Sequence, residues 1–416
     1  MYRVERHIIS KSHKLFKQLD EYCFKSKNLY NQANYLVRQE FINNGKWLRY
    51  HDLYNQLKDT ECYKDMQLAH PAQQVLMLLD KNWKSFFQAN KAYKKNPAKF
   101  SGRPKLPSYK NIENGRNIVI FTNFYCKRKD TYVQFPKIFN KYKLTSRLNG
   151  ELQQVRIVPR DKHYVIEVVY DISSAAPKPN NGKYLGVDLG VDNCVAMMSN
   201  TGLKPVLIDG KGLKSINHYS NVLVSHYSKV LERMNKNKKS NRLNKIRNKR
   251  NNKINYHLHH ISKYVVDYCL NNDINTVIIG KNDNWKQNCN MGKENNQNFV
   301  QIPHARLINQ IQYKAEEVGI SVILINESYT SGTSFLDDEL PIVEFYNKTR
   351  RVTRGLFKTN NGTLVNADIN GALQILNKAN ISNVSADVKF DQAVKALVVK
   401  PVKVNAMMHR LTKEIL

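Results

Sequence analysis

The sequence predicts a multidomain α+β chain: a small β-barrel with a helical bundle inserted near its start, then an α/β domain. Three observations predict it. Apolar residues recur at helical spacing from about residue 12 to 95. From Asn117 to Ile172 the texture turns to short apolar or alternating runs separated by turns. Beyond Tyr184, strand-like runs alternate with helical stretches, and three carboxylates stand at their ends.

The first helical stripe is Leu15, Leu19, Tyr22, Leu29, Ala33 and Leu36; a second is Val75, Leu78, Leu79, Trp83 and Phe86. Pro71 suits an early helical position. These stripes read as a bundle core, which leaves Lys81, Lys84, Lys91, Lys94 and Lys95 for phosphates. Gly and Pro in the segment Ser101-Gly-Arg-Pro-Lys-Leu-Pro-Ser-Tyr-Lys break any helix. The strands that follow are Ile118 to Phe121, Thr131 to Phe135, Leu152 to Val158 and Tyr164 to Ile172. Short strands at this spacing suggest a small barrel, and residues 1–10 could add a strand to it.

A boundary comes at Ala175-Ala-Pro-Lys-Pro-Asn-Asn-Gly. Runs from Tyr184 to Leu189, Cys194 to Met198 and Val206 to Asp209 read as three hairpin-like strands. Arg233 to Lys253 then holds ten Lys/Arg and no acid. A run of one sign is usually solvated or disordered, but Leu231, Leu243, Ile246 and Ile254 interrupt it, and a helical hairpin gripping a phosphate backbone is at least as good a reading. His257, His259 and His260 follow; their spacing does not put all three on one helix face, so phosphate contact or packing is favoured over zinc. The strand Thr276–Gly280, a helix through Leu307, Ile308 and Ile311, the strand from Val322 and a last helix from Asp368 complete the element order of an RNase H-like fold.

At 416 residues the chain can hold two or three domains with their own cores, and 41% hydrophobic residues exclude a disordered chain. Lys and Arg number 66 against 34 Asp and Glu, a net charge of +32. A bound polyanion relieves the self-repulsion of such a charge, so nucleic acid is the expected partner. No apolar run approaches the roughly 18 residues of a spanning helix, and Met1-Tyr-Arg-Val-Glu-Arg-His has no signal-peptide core. No membrane role is expected. The six cysteines, Cys23, Cys62, Cys126, Cys194, Cys269 and Cys289, form no C-x-x-C pair, which argues against a disulfide framework and structural zinc and fits a reducing cytosol. The 23 tyrosines beside so many lysines suit base stacking next to phosphate contacts.

Asp188 ends the run from Tyr184, Glu327 ends the run from Val322, and Asp368 opens the last helix. Carboxylates converging from two strand ends and a helix start suit two Mg²⁺ ions about 4 Å apart and phosphodiester hydrolysis. Asp192 is a candidate outer group or turn cap, and Asn370 a candidate to orient Asp368 or a phosphate.

These residues resemble TnpB, the RNA-guided nuclease of bacterial insertion sequences and relative of miniature type V CRISPR effectors. Tyr184-Leu-Gly-Val-Asp-Leu-Gly-Val-Asp-Asn resembles the first RuvC motif and Asn366-Ala-Asp-Ile-Asn-Gly-Ala the third. Tyr329-Thr-Ser resembles the opening of the target-binding insertion. Lys27-Asn-Leu-Tyr-Asn, Lys81-Asn-Trp-Lys-Ser-Phe-Phe and Gly102-Arg-Pro-Lys-Leu-Pro extend the likeness to the front half.

The resemblance implies a wedge β-barrel domain at 1–11 and 96–176 and a helical recognition domain at 12–95. It implies a RuvC nuclease domain at 177–328 and 367–416, with a target-nucleic-acid-binding insertion at 329–366. It implies a monomer in the bacterial cytoplasm, associated with the nucleoid when bound to DNA. Its partners are a guide RNA derived from the element end and double-stranded DNA with an adjacent motif; pairing reads sequence while the protein reads shape. Asp188, Glu327 and Asp368 become catalytic Mg²⁺ ligands, with Mn²⁺ a possible substitute, leaving 5′-phosphate and 3′-hydroxyl ends. Lys81, Lys84, Lys105, Lys238, Lys239, Arg242, Arg247, Arg250, Arg350, Arg351 and Arg354 are the expected nucleic-acid contacts, with Lys348 in the same basic cluster.

Two features depart from the family pattern. The second RuvC motif expects a glutamate where this chain has Gly280. Glu327, one strand away at about 5 Å, is expected to reach over the glycine in its place. Asp283, Asp337, Asp338 and Glu339 are less favoured donors. If Glu327 does not serve, the chain is a nuclease-dead guided DNA binder; a transposase proper is the third reading. The insertion also lacks the family's paired cysteines, so no zinc is expected there.

Overall fold

The computed structural model describes residues 2–173, 175–234, 240–282, 301–353, 355–382, 386–398 and 401–407. The chain divides into two units, Met1–Ser173 and Ser174–Leu416.

In the first unit, β1 (Tyr2–Ile9) precedes four helices: α1 (Phe16–Asn44), α2 (Tyr50–Leu57), α3 (Glu61–Lys64) and α4 (Ala69–Lys95). The strands β2 (Val119–Thr122), β3 (Lys127–Arg128), β4 (Tyr132–Gln134), β5 (Lys143–Thr145), β6 (Glu151–Pro159) and β7 (Tyr164–Asp171) follow. The strand expected from residues 1–10 is β1, antiparallel to β7 along its whole length. The expected barrel does not close among the described residues. The main sheet runs β1-β7-β6-β2, with β1 and β2 at opposite edges, while β3-β4-β5 form a separate small sheet. Closure requires the two edges to pair; here β2 has only four residues and helix α4 packs against it.

The helical stripes face this sheet. Leu19, Tyr22, Val75, Leu76 and Trp83 share one core with Phe121, Val155, Ile157 and Ile166. The three front-half motifs meet along α1. Lys27 donates to the Ile112 carbonyl at 2.5 Å. Asn31 exchanges two hydrogen bonds with the Lys110 backbone, each 2.9 Å. Asn34 donates to the Pro107 carbonyl at 3.0 Å and accepts from the Trp83 indole at 3.1 Å. These side chains strap the Gly- and Pro-broken loop to the bundle. Lys27 is buried, and desolvation holds its ammonium pKa below the usual lysine range.

The second unit is built on one sheet. Its elements are β8 (Tyr184–Asp188), β9 (Asn193–Ser199), β10 (Val206–Asp209), α5 (Lys211–Arg233), α6 (Asn241–Asn271), β11 (Thr276–Gly280), α7 (His304–Glu317) and β12 (Ser321–Ile325). Then come β13 (Arg351–Thr353), β14 (Leu356–Lys358), β15 (Leu364–Asn366), α8 (Ala367–Ile381), α9 (Ala393–Leu397) and β16 (Val402–Val404). The strand order is β12-β11-β8-β9-β10-β16. β11 pairs parallel with both β8 and β12, so Gly280 lies opposite Ile325. β8, β9 and β10 form the antiparallel meander read from the sequence.

The basic stretch is helical on both sides: α5 and α6 pack together, and the Ser240 side chain caps α6 by accepting from the Leu243 N–H at 3.2 Å. Leu243 and Ile254 are buried. The segment after α8 packs where it is described. Val394 and Val398 join a core with Phe335, Phe357 and Ala372, and β16 adds to the sheet beside β10. Among the described residues no helix is long and apolar enough to cross a membrane.

Candidate functional site

Asp188, Glu327 and Asp368 line one cavity of about 510 Å³ in the second unit. Asp188 is the last residue of β8, paired with Ala196 of β9. Asp368 is the second residue of α8, whose first N–H groups are capped by Asn366, which accepts from Asp368 and Ile369 at 3.0 and 3.1 Å. A carboxylate in this first turn also suits the positive end of the helix. Gly371 belongs to the same turn. A Cβ there would stand 2.7 Å from Asp188 Oδ2, so the missing side chain lets helix and carboxylate approach.

Glu327 stands two residues beyond the end of β12, slightly past the strand that the sequence had it closing. Its side chain reaches across to β11. A Cβ on Gly280 would lie 2.8 Å from Glu327 Oε2 and 2.5 Å from Ile375 Cδ1. The glutamate therefore occupies the space over the glycine. Its Oε1 accepts from Asn282 at 3.3 Å, while the buried Oε2 has no hydrogen-bond partner.

Asp188 and Glu327 are electrostatically frustrated. Burial, and then the neighbouring Asp368 and Glu327, push the Asp188 carboxyl well above its ordinary range. Burial pushes Glu327 up to about 7, against the opposing pull of Lys378. Two cations partly compensate: Arg351 lies 3.7 Å from Asp368 Oδ1, and Lys378 donates to the Ser328 carbonyl beside Glu327. Asn193 donates to Asp368 Oδ2 at 2.7 Å. Buried His304 donates from Nε2 to the Gly190 carbonyl at 3.0 Å and so fixes the loop after Asp188. Asp192 lines the cavity and pairs with Lys214.

An all-oxygen donor set with an orphaned buried carboxylate oxygen fits hard divalent cations. Among the described residues, no three such side chains gather closely enough to enclose a single ion.

The expected nucleic-acid contacts fall into different classes. Lys81 and Lys84 are exposed on α4, and Lys105 on the loop that α1 straps down. Arg242 and Arg247 are exposed on α6, with Arg242 against Tyr227. Arg351 and Lys348 line the acidic cavity. Lys238, Lys239, Arg354 and Asp283 lie outside the described residues.

Three of the expected residues are engaged within the fold. Arg250 is engaged internally, donating to Asn217, Asn251 and the Gln301 carbonyl. Arg350 is half-buried in the segment 329–366, donating to Asp337 and, at 2.7 and 2.8 Å, to Glu339. That pairing also removes Asp337 and Glu339 from the reserve donors, and Lys395 holds Asp338 at 2.6 Å. Asn370 orients neither Asp368 nor the cavity. It is buried and clips the insertion to α8, accepting from Phe335 N–H at 3.0 Å and donating to the Thr333 carbonyl at 2.8 Å. Of the three histidines, His257 is held low by burial and by the positive charge of His260 and Lys253, and His260 stacks edge-on against Tyr256.

Sequence reasoning did not single out Asn193, Asn282, His304 or Lys378. Asn193 carried a faint signal, lying five residues after Asp188 across a predicted turn; Lys378 lies ten residues after Asp368, and its partners are visible only in three dimensions.

Residues 163–286 match the OrfB_IS605 family, described as a probable transposase, and residues 304–375 match the Cas12f1-like TNB domain. No curated protein matches in sequence. Among solved structures, the Cas12f1–sgRNA–target DNA complex is similar at 16% identity and a TM-score of 0.53, over 86% of this chain and 81% of that one. The mini-RNA-guided endonuclease CRISPR-Cas_phi3 is similar at 11% identity and a TM-score of 0.47, over 90% and 92%. Two segments of the chain, residues 163–286 and 304–375, are thus similar to the TnpB (OrfB_IS605) family and to a Cas12f1-like TNB domain.

Proposed function

We propose that the protein is an RNA-guided DNA endonuclease of a transposable element, cutting motif-adjacent DNA complementary to its guide RNA. The observation that carries this reading is Glu327 lying over Gly280, which delivers a third carboxylate to the cavity of Asp188 and Asp368. The family match supports it, as does the fold shared with a protein solved in complex with sgRNA and target DNA. The net charge of +32 suits a chain that holds an RNA and a DNA together.

On this reading Asp188, Glu327 and Asp368 hold Mg²⁺ ions, two in number and replaceable by Mn²⁺. Bound there, the ions supply a water of lowered pKa and charge neutralisation at the leaving 3′-oxygen. The chain's own groups do the positioning. Asn193 fixes Asp368, Asn282 fixes Glu327, and Arg351 and Lys348 draw the phosphate backbone to the acids. The wedge and recognition domains at 1–11, 96–176 and 12–95 would carry the guide RNA and adjacent motif. The RuvC parts at 177–328 and 367–416, with the insertion at 329–366, would carry the cut strand. A monomer with one RNA in the bacterial cytoplasm completes the reading.

Gly280, where the resemblance expects a glutamate, favours a second reading: a guided DNA binder that no longer cuts. Plasmid cleavage in Mg²⁺ by the purified protein–RNA complex separates the two. Guided cutting by the wild type that is lost in Glu327→Ala and Asp188→Ala, with target binding kept, is the expected result. Motif-dependent binding without any cut would establish the second reading.

A further inference from the structure

Tyr329 holds a backbone conformation that its side chain disfavours. Its φ is +71°, in the left-handed region where a bulky residue is an outlier. The turn from Glu327 to Thr330 imposes it. Thr330 donates to the Glu327 carbonyl from its N–H at 3.2 Å and from its hydroxyl at 2.8 Å. The Thr333 hydroxyl donates to the Tyr329 carbonyl at 2.9 Å. Strain of this kind persists only where the surroundings impose it, and it gathers at working sites. Glycine would relieve it. The position instead carries a tyrosine that is 40% exposed, on the wall of the acidic cavity. Its ring meets Tyr346 edge-on with centroids 5.6 Å apart, and the Lys378 ammonium lies 5.5 Å from its centre. Tyr346, Lys348 and Arg351 share that wall.

We propose that Tyr329, backed by Tyr346, is a stacking platform for the nucleobase next to the bond that is cut. The proposal rests on the nuclease reading and names the form of its substrate: a single DNA strand whose bases are turned out of any duplex. A base inside a paired stack offers no face to an aromatic ring, whereas a splayed single strand does. Stacking tolerates every base because each has a π-face, which suits an enzyme whose sequence choice lies elsewhere. Lys348 and Arg351 supply charge for the flanking phosphates while the ring fixes the strand's register over the acids. Tyr329 is thus a substrate-positioning residue.

The test uses the protein–RNA complex in metal-free buffer with single-stranded DNA carrying 2-aminopurine at successive positions. Wild type and Tyr329→Trp should quench one position, and Tyr329→Gly should lose that quench. With Mg²⁺ present, Tyr329→Gly should raise KM about tenfold, and an abasic nucleotide at the quenched position should weaken wild type equally while leaving the variant unchanged. Because glycine relieves the turn, the melting temperature of Tyr329→Gly should stay level or rise. A lower melting temperature with KM unchanged would make the ring a packing element and overturn the proposal, as would an equal quench in wild type and Tyr329→Gly. If the wild type quenches but cuts under no condition, the nuclease reading fails, and with it the placing of the ring beside a cut bond, while base stacking by Tyr329 is kept.

Discussion

The strap along α1 and the acidic cavity both contain buried polar groups that the sequence singled out as motifs, and their physics is opposite. In the strap each donor has an acceptor: Lys27 has Ile112, Asn31 has Lys110, and Asn34 serves both Pro107 and Trp83. In the cavity, carboxylates crowd one another, a buried oxygen has no partner, and Tyr329 sits on strained backbone. A satisfied network holds a fold together; a frustrated one waits for something to complete it. Motif resemblance alone does not separate the two cases, whereas hydrogen-bond accounting does.

The largest expected effect breaks the cavity. Glu327→Gln should abolish guided cutting, a loss of roughly 10²–10³-fold or more, and should also change stability in the opposite sense. With the folded pKa of Glu327 near 7 against an ordinary value of 4.5, the folded state keeps a proton that the unfolded chain releases. The metal-free wild type should therefore lose stability as pH rises between those values. The glutamine variant should lack that slope and be more stable at pH 8 by on the order of 2–3 kcal/mol. Added Mg²⁺ should stabilise the wild type and leave the variant unmoved. Thermal melts across pH, with and without Mg²⁺, measure both.

The next effect lies in the insertion. Arg350→Met leaves the half-buried Asp337 and Glu339 without their charge-assisted hydrogen bonds, a loss of about 2–3 kcal/mol to the local structure. Hydrogen exchange of residues 335–366 should report it, and the acids 188 and 368 should keep their protection. The smallest belongs to the strap. Asn34→Ala orphans the Trp83 indole N–H and should cost about 1–3 kcal/mol in urea unfolding, with the cutting rate per folded molecule unchanged. A matching fall in intrinsic cutting rate would erase the contrast between strap and cavity.

Much of this was legible in the sequence because it rests on local pattern. Alternating or apolar runs placed β6 and β7, residues 1–10 supply the strand offered for them as β1, and the neighbour of the Gly280 strand followed from the RNase H-like element order. The reach of Glu327 was legible because the family resemblance expects a glutamate where Gly280 stands and a neighbouring strand lies about 5 Å away. Barrel closure was not, because it depends on which edges meet. Arg350 read as a target contact because its charge is visible in sequence, whereas Asp337 and Glu339, more than ten residues away, come to it only through the fold of the insertion. Asn370 misled for a similar reason: sharing a turn with Asp368 says nothing about which way a helical side chain points.

Moving the glutamate from β11 to the chain beyond β12 changes what it is tied to. A residue at Gly280 would sit on an inner strand, flanked by β8 and β12. Glu327 instead leaves an edge strand and leads within two residues into Tyr329 and the segment clipped by Asn370. On the proposed reading, the ligand that completes the ion-binding set and the ring that receives the strand share one short lever. Displacement of that segment by an arriving strand would shift the carboxylate too, so loading and arming become a single mechanical event.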